Sequence, residues 1–144
     1  MQLDYFGRGA RFHHIGMGVP SIRDVSPTIP MQYDPLQGVH VAFVTLNGLP
    51  MELIEPVGDS SPVAASLKKG FKLLHVCYEV DNLQEAVREG RRHGFHVVKP
   101  AAPAMAFGRQ PITFVFSRVW GLVELLERRR QDAVNDPTGG LDDG

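Results

Sequence analysis

Two segments of the chain alternate apolar residues with polar or small ones after a histidine, and this period of two predicts β-strands. In the first segment, residues 12–19, His14 faces one side of the strand and His13 faces the other. The second segment, residues 73–80, carries His75 at the matching position. The two segments are therefore interpreted as copies of one strand.

A second match appears when His14 is aligned with His75. Each copy then contains a later apolar strand with a glutamate near its start, Glu52 in the first copy and Glu124 in the second. Agreement at all of these positions indicates an internal repeat. The sequence therefore predicts one structural unit that occurs twice.

Turn and capping signals divide each copy into further elements. An Asn-Gly pair at 47–48 predicts a β-hairpin, and a Ser-Pro pair at 61–62 predicts the start of a short helix. In the second copy, Asn82 begins a helix that stops before Gly94. The pattern also predicts strands over residues 38–46, 51–55, 95–99, 111–116 and 122–127.

The first copy has no room for the helix of the second. Prolines recur through residues 20–38, and each would cost a helix about 3 kcal/mol. The first copy is also shorter than the second by about three helical turns. The predicted fold class is α+β, built from two similar modules, with the helix of the first shortened or lost.

The chain has 144 residues, which is enough for one domain with a sizeable core. Residues after 128 are charged and then rich in Gly, Asp and Pro, a composition typical of a flexible tail. We expect a single domain over residues 12–127, with module one at 12–58, a connector helix at 61–70, module two at 72–127, and flexible tails at 1–11 and 128–144.

Composition excludes several classes of function. The net charge of −1 provides no broad attraction to nucleic acid or to an acidic membrane, so neither is an expected partner. The single cysteine, Cys77, cannot form an internal disulfide, and its apolar strand context predicts a buried structural thiol rather than a nucleophile. The single cysteine, and residues 1–11 without an apolar core of signal-peptide length, make the cytoplasm the expected location. No window reaches the roughly 18 apolar residues of a membrane-spanning helix.

Four polar side chains occupy equivalent positions in the two copies: His14, Glu52, His75 and Glu124. If the copies pack with approximate twofold symmetry, these side chains converge. Two imidazoles and two carboxylates suit a divalent metal ion such as Zn, Co, Ni or Mn, and they leave room for a chelating substrate. Taken singly, a strand glutamate is usually solvated and a lone histidine usually packs, so it is the repeat that favours a metal centre.

Other titratable residues lack this support. The histidines without a matched partner, for which we expect structural or surface roles, are His13, His40, His93 and His96. Glu55 and Glu127 do match each other, but the strand period places them on the face opposite to the predicted ligands.

Five motifs in the two copies carry a resemblance to a known family. They are His-Ile-Gly-Met-Gly-Val-Pro at 14–20, Gly-Val-His-Val-Ala-Phe at 38–43, Met-Glu-Leu-Ile-Glu-Pro-Val-Gly-Asp-Ser-Ser-Pro at 51–62, His-Val-Cys-Tyr-Glu-Val-Asp-Asn at 75–82 and Leu-Val-Glu-Leu at 122–125. The chain resembles the vicinal-oxygen-chelate (glyoxalase/bleomycin-resistance) superfamily and, within it, the methylmalonyl-CoA epimerase family. The resemblance spans residues 12–127 and implies two glyoxalase-like βαβββ modules.

The resemblance also implies a metal-dependent isomerase of the epimerase kind. It makes His14, Glu52, His75 and Glu124 the metal ligands. Glu124 would in addition be the catalytic base that moves the α-proton of an acyl thioester through a metal-stabilised enolate. The sequence departs from the family at Val41, where some epimerases carry a second carboxylate base.

The expected partner is a small-molecule substrate, for which an acyl-CoA is one candidate, and the superfamily implies a homodimer. Lys68, Lys69 and Lys72 lie where they could meet phosphates, although a solvated basic helix end is the simpler interpretation. Two alternatives stay open. One is another enzyme of the superfamily, such as a lyase or cyclase of a biosynthetic pathway, and the other is a metal-free antibiotic-binding resistance protein.

Overall fold

The computed structural model describes residues 1–129, which form a curled eight-stranded sheet with three short helices. The strands are β1 (Arg11–Gly18), β2 (Gln32–Asp34), β3 (Val39–Leu46), β4 (Leu49–Pro56), β5 (Leu73–Val80), β6 (His96–Ala104), β7 (Gln110–Ser117) and β8 (Gly121–Glu127). The helices are α1 (Ile22–Val25), α2 (Pro62–Lys68) and α3 (Leu83–Arg91), and a 3-10 turn spans Met105–Phe107. The predicted α+β class with two βαβββ modules is confirmed, and the first-module helix α1 has only 4 residues against 9 in α3.

The sheet consists of two half-sheets, one from each module. The strand order is β2-β3-β4-β1-β5-β8-β7-β6, so the modules meet where β1 runs antiparallel to β5. On either side of this seam, β4 lies parallel to β1 and β8 lies parallel to β5. This arrangement is the approximate twofold symmetry that the repeat predicts, and it makes β4, β1, β5 and β8 the four central strands.

The predicted turns and caps are present. Asn47 and Gly48 have φ angles of 48° and 87°, which are the positive values that a two-residue hairpin turn of this type requires. The Ser61 hydroxyl accepts a hydrogen bond from the Val63 N–H at 3.1 Å and begins α2. Local sequence thus determines where these elements begin and end.

Glu55 and Glu127 have the same structural role in the two modules. Glu55 Oε1 accepts a hydrogen bond from the Ile22 N–H at 2.9 Å, and Glu127 Oε2 accepts one from the Leu83 N–H at 2.9 Å. Each carboxylate therefore caps the helix that follows the first strand of its own module. Their match in the sequence reflects helix capping.

The shortened first helix still buries its main apolar residue. Ile22 is completely buried against Ala42 and Leu53, while the second module buries Leu83 and Ala86 of α3 in a larger cluster. One helical turn is therefore enough to cover the smaller first module. Within residues 1–129, no helix is long and apolar enough to span a membrane.

Two elements of the sheet differ from the prediction. Strand β2 was not expected in the proline-rich segment, yet Gln32–Asp34 pairs with β3. Strand β6 continues to Ala104 through Pro100 and Pro103, whereas the sequence predicted a strand only over residues 95–99. Both strands lie at the edges of the sheet, where a proline does not remove a bond that the ladder needs.

The N-terminal segment also differs from the flexible tail that was expected over residues 1–11. Tyr5 stacks on His93 with ring centroids 4.4 Å apart, and Phe6 lies 4.8 Å from Phe95. Both aromatic residues pack against the core of module two, and Gly7 directly after them has a φ of 92°, a backbone conformation that favours glycine. The expected C-terminal tail lies, beyond residue 129, outside the described residues.

Candidate metal centre

The four central strands bring the four predicted ligands together. His14 lies on β1, Glu52 on β4, His75 on β5 and Glu124 on β8, and all four side chains are at most 5% exposed. The two imidazoles face each other, with 3.4 Å between their Nε2 atoms. Glu52 Oε1 lies 3.8 Å from each of these nitrogens, and Glu124 Oε1 lies 3.3 Å from His14 Nε2 and 3.6 Å from His75 Nε2.

These separations fit a shared cation. Ligand atoms that each lie about 2.1 Å from one ion are separated by about 3.0 to 3.4 Å, and the observed values are equal or slightly wider. Glu124 Oε1 is buried and receives no hydrogen bond from the described residues. A buried oxygen without a partner is costly, so a bound cation would supply the missing partner. The donor set therefore fits a divalent ion.

The pairing of β1 with β5 explains how the imidazoles can lie so close. The register places His14 opposite Cys77 and Gly16 opposite His75. A Cβ atom on Gly16 would lie 2.2 Å from Cε1 of His75, so only glycine leaves room for this ring. Gly16 was not among the residues predicted for the site, although its position on the same strand face as His14 was a usable signal.

Cys77 occupies in module two the position that Gly16 occupies in module one. It is completely buried, as predicted, and it is not part of a disulfide. Burial, followed by the negative charge of Glu124, raises the pKa of its thiol far above the ordinary range. Cys77 is therefore a protonated, packed thiol beside the site.

Burial and neighbouring charges shift the pKa values of the two carboxylates in opposite directions. Burial, followed by the charges of Glu124 and Asp34, raises the pKa of Glu52 well above its ordinary value. Burial would also raise the pKa of Glu124, but attraction from the nearby His14 and His75 imidazoles outweighs it and lowers that pKa. Burial lowers the pKa of His75, and the charge of Glu124 offsets only part of this effect. Without a cation, Glu52 therefore keeps its proton to a higher pH than Glu124 does.

Aromatic side chains enclose the imidazoles. Phe107 stacks on His14 with ring centroids 5.6 Å apart, and Phe43 approaches the same imidazole edge-on at 5.8 Å. Phe114 makes an edge contact of 5.5 Å with His75. This apolar shell limits the access of water and strengthens the electrostatic interactions inside it.

A small cavity of about 20 Å³ reaches Glu52, His75 and Glu124. Val41 and Asp34 also line it. Asp34 is buried on β2, where its carboxylate accepts hydrogen bonds from the N–H groups that follow it, and sequence analysis missed it because β2 was not predicted.

A groove of about 270 Å³ adjoins this cavity and shares His75 and Phe114 with it. Its lining is mainly apolar, with Lys99 at one side. A cleft of about 340 Å³ lies between the N-terminal segment and α3, but none of the four clustered residues lines it. The groove beside the cluster is therefore the candidate substrate path.

The unmatched histidines lie mostly outside the site. His40 pairs with Glu55 at 3.3 Å, and the exposed His96 contacts Phe116. His13 is the exception, because its ring contacts His14. The Lys68 ammonium lies 3.8 Å from the exposed Asp59 carboxylate, in agreement with a solvated helix end.

Comparison with known proteins agrees with this geometry. Residues 13–116 match the model of the Glyoxalase/Bleomycin resistance protein/Dioxygenase superfamily. The mitochondrial methylmalonyl-CoA epimerase of Bos taurus is 33% identical over 131 residues, which cover 80% of this chain and 73% of that protein. The ethylmalonyl-CoA/methylmalonyl-CoA epimerase of Cereibacter sphaeroides is 28% identical over 128 residues, which cover 80% of this chain and 96% of that protein.

The fold also has solved counterparts. One is a variant of the methylmalonyl-CoA epimerase of Streptomyces coelicolor in complex with 2-nitronate-propionyl-CoA, with a TM-score of 0.67 and 20% identity. The match covers 83% of this chain and 98% of that one. The paired modules, the superfamily match and the named relatives lead to one conclusion: the chain is an epimerase-like member of the Glyoxalase/Bleomycin resistance protein/Dioxygenase superfamily.

Proposed function

We propose that this chain is a metal-dependent epimerase that acts on an acyl-CoA bearing a carboxylate at its α-carbon, of the methylmalonyl-CoA type. The observation that carries the proposal is the buried cluster of two imidazoles and two carboxylates, with N–O separations of 3.3 to 3.8 Å. The names of the relatives support the substrate class.

In this proposal His14, Glu52, His75 and Glu124 hold the ion. When bound, a divalent ion supplies Lewis-acid polarisation of the thioester carbonyl. Protons compete with the ion for Glu52, whose pKa is raised. Metal affinity should therefore fall as the pH is lowered and Glu52 becomes protonated. Protons compete less for Glu124, whose pKa is lowered.

Glu124 is the proposed catalytic base. Its lowered pKa keeps it ionised at neutral pH, and a carboxylate that gives Oε1 to the ion retains a second oxygen that can accept a proton. The α-proton passes from the substrate carbon to this carboxylate. Epimerisation is complete when a proton returns to the opposite face of that carbon, and Val41 cannot supply it.

The alternative of a metal-free antibiotic-binding protein is less well supported by the geometry. A drug-binding cleft gains affinity from apolar walls, whereas two buried carboxylates without a cation carry a desolvation cost. The cluster therefore favours an enzyme with an ion over a sequestering protein.

Deuterium exchange tests the proposal. Purified protein loaded with Zn²⁺ or Co²⁺ is incubated with methylmalonyl-CoA in D₂O, and the label at the α-carbon is followed by mass spectrometry. We expect exchange in the wild type and a loss of about 10²- to 10⁴-fold in Glu124→Gln, with little change in thermal stability.

Glu127→Gln is the matched control, because Glu127 lies on the same strand as Glu124 and its replacement can still accept the Leu83 hydrogen bond. It should exchange at the wild-type rate. Absence of exchange in metal-loaded wild type would exclude the epimerase and leave another reaction of the superfamily. Failure of the wild type to bind any divalent ion would exclude the metal centre itself.

A further inference from the structure

His13 does not follow the simple alternation of its strand. Pairing between β1 and β5 passes from Phe12 opposite Tyr78 to His14 opposite Cys77, so His13 is left out of the ladder. Such a bulge redirects the side chain of the extra residue. The expectation that His13 faces away from the site fails for this reason.

The redirected ring contacts His14 directly. Nδ1 of His13 lies 2.8 Å from Nδ1 of His14, a distance at which one nitrogen donates a proton and the other accepts it. His14 Nε2 points into the ligand cluster, and a nitrogen that binds a cation carries no proton. Neutral His14 then carries its proton on Nδ1, so His14 is the donor and His13 Nδ1 is the acceptor.

The other side of His13 supports the same assignment. Its Nε2 faces the carboxylate of Glu79 at 4.0 Å, and this carboxylate accepts a hydrogen bond of 2.7 Å from Arg128 Nε. A negative oxygen near Nε2 favours the form of neutral His13 with its proton on Nε2, which leaves Nδ1 free to accept. The contacts from Arg128 through Glu79 and His13 therefore favour a proton on Nε2 of His13 and a proton on Nδ1 of His14.

Module two has no equivalent of this arrangement. The residue before His75 is Leu74, which lines the apolar groove and cannot accept a hydrogen bond. His75 is held instead by the close approach of Gly16 and the edge of Phe114. The two imidazoles are thus oriented by different means.

We infer that His13 is a positioning residue that holds His14 in the tautomer with Nε2 free to bind a divalent cation. The inference rests on the proposed function for the metal itself and adds a residue that does not touch the ion. Metal-binding histidines commonly donate their second N–H to a fixed acceptor, and loss of such an acceptor weakens metal binding about 10- to 100-fold.

Two substitutions of His13 distinguish the effect of the hydrogen-bond acceptor from the effect of side-chain volume. His13→Leu replaces the imidazole by an apolar side chain and removes the acceptor. His13→Asn supplies an amide oxygen close to the position of Nδ1. Co²⁺ is titrated into each metal-free protein, and binding is followed by d–d absorption without substrate. We expect His13→Leu to weaken the Kd about 10- to 100-fold and His13→Asn to restore most of the loss.

The control is His96→Leu, which changes an exposed histidine and should keep the wild-type Kd. Nitrogen-15 NMR of the Zn²⁺-loaded protein gives a second readout, with protons expected on Nδ1 of His14 and on Nε2 of His13. Equal Kd values for His13→Leu and wild type, equal weakening in both His13 variants, or a proton on Nδ1 of His13 would each overturn the inference. A wild type that binds no Co²⁺ or Zn²⁺ would overturn the metal centre and this inference together.

Discussion

The two carboxylates of the site lie beside one cavity and yet differ in their affinity for protons. Glu52 is buried near two other carboxylates, so its pKa is raised, whereas contacts with both imidazoles lower the pKa of Glu124. In the absence of a cation, Glu52 therefore keeps its proton to a higher pH than Glu124 does. A divalent ion has to compete with this proton, and the competition makes both stability and metal affinity depend on pH.

Replacing Glu52 by Gln should stabilise the metal-free protein above the ordinary pKa of glutamate. Because the folded-state pKa is raised, the folded protein holds this proton as the pH rises from 4.5 to that pKa, and wild-type stability falls across this window. Gln does not ionise, so its advantage should be absent below pH 4.5 and largest above the folded-state pKa. Urea unfolding in EDTA at a series of pH values measures the difference.

Saturating Zn²⁺ provides the internal control for Glu52→Gln. The ion should stabilise the wild type more than the variant, because the wild type offers a charged ligand and binds more tightly. The order of stabilities should therefore reverse when metal is added. A variant that is less stable than the wild type at every pH without metal would contradict the assigned protonation of Glu52.

Gly16 gives a steric test of the site. Gly16→Ala places a methyl group 2.2 Å from the present position of His75 Cε1, so the imidazole must move. We expect Zn²⁺ affinity to fall by about 10-fold or more while the strand is retained, since alanine is compatible with an extended backbone. In the control Gly18→Ala, the nearest contact is Leu67 Cδ2 at 3.3 Å, which can adjust. Equal affinities for the two variants, measured by competition titration, would remove Gly16 from the site.

Among the secondary-structure elements, the sequence correctly predicted the turns and helix ends that depend on local turn and capping residues. The hairpin at Asn47, the cap at Ser61 and the limits of α3 follow from turn and capping residues, and they agree with the structure within two residues. Strand β2 has three residues in a proline-rich segment, so its pairing with β3 depends on tertiary contacts rather than on its own pattern. The course of β6 through Pro100 was missed because a proline is acceptable only once the strand is known to lie at an edge.

The capping carboxylates allow a prediction at this scale. Glu127→Ala removes the acceptor of the Leu83 N–H at the start of α3, and we expect a loss of about 1 to 2 kcal/mol in the free energy of unfolding. Glu127→Gln keeps an acceptor and should lose less. Metal affinity should stay within about twofold of wild type in both variants, since neither change reaches the ligand cluster. Chemical denaturation and Zn²⁺ titration test the two parts, and a large loss of affinity would show that cap and site are coupled.

At the scale of the whole molecule, the duplication explains why residues far apart in the sequence lie close together in space. Each module contributes one imidazole and one carboxylate, and the β1–β5 seam joins them. The repeat alone was sufficient to predict that His14, Glu52, His75 and Glu124 converge. The contact between His13 and His14 depends on a bulge in this seam, and the role of Gly16 depends on its register, neither of which strand periodicity reveals.

The N-terminal segment was expected to be flexible and instead packs on module two, so its contacts should contribute to stability. The Phe6 ring lies 4.8 Å from Phe95 and so close to Gly90 of α3 that a Cβ there would meet it at 3.0 Å. Phe6→Ala should therefore cost about 1 to 3 kcal/mol in urea unfolding, because a partly buried ring is removed. The exposed Leu3 is the control, and Leu3→Ala should change stability by less than about 0.5 kcal/mol. Since Phe6 packs in the second-module core away from the ligands, Zn²⁺ affinity should not change, and equal stabilities of the two variants would mean that the segment contributes no packing energy.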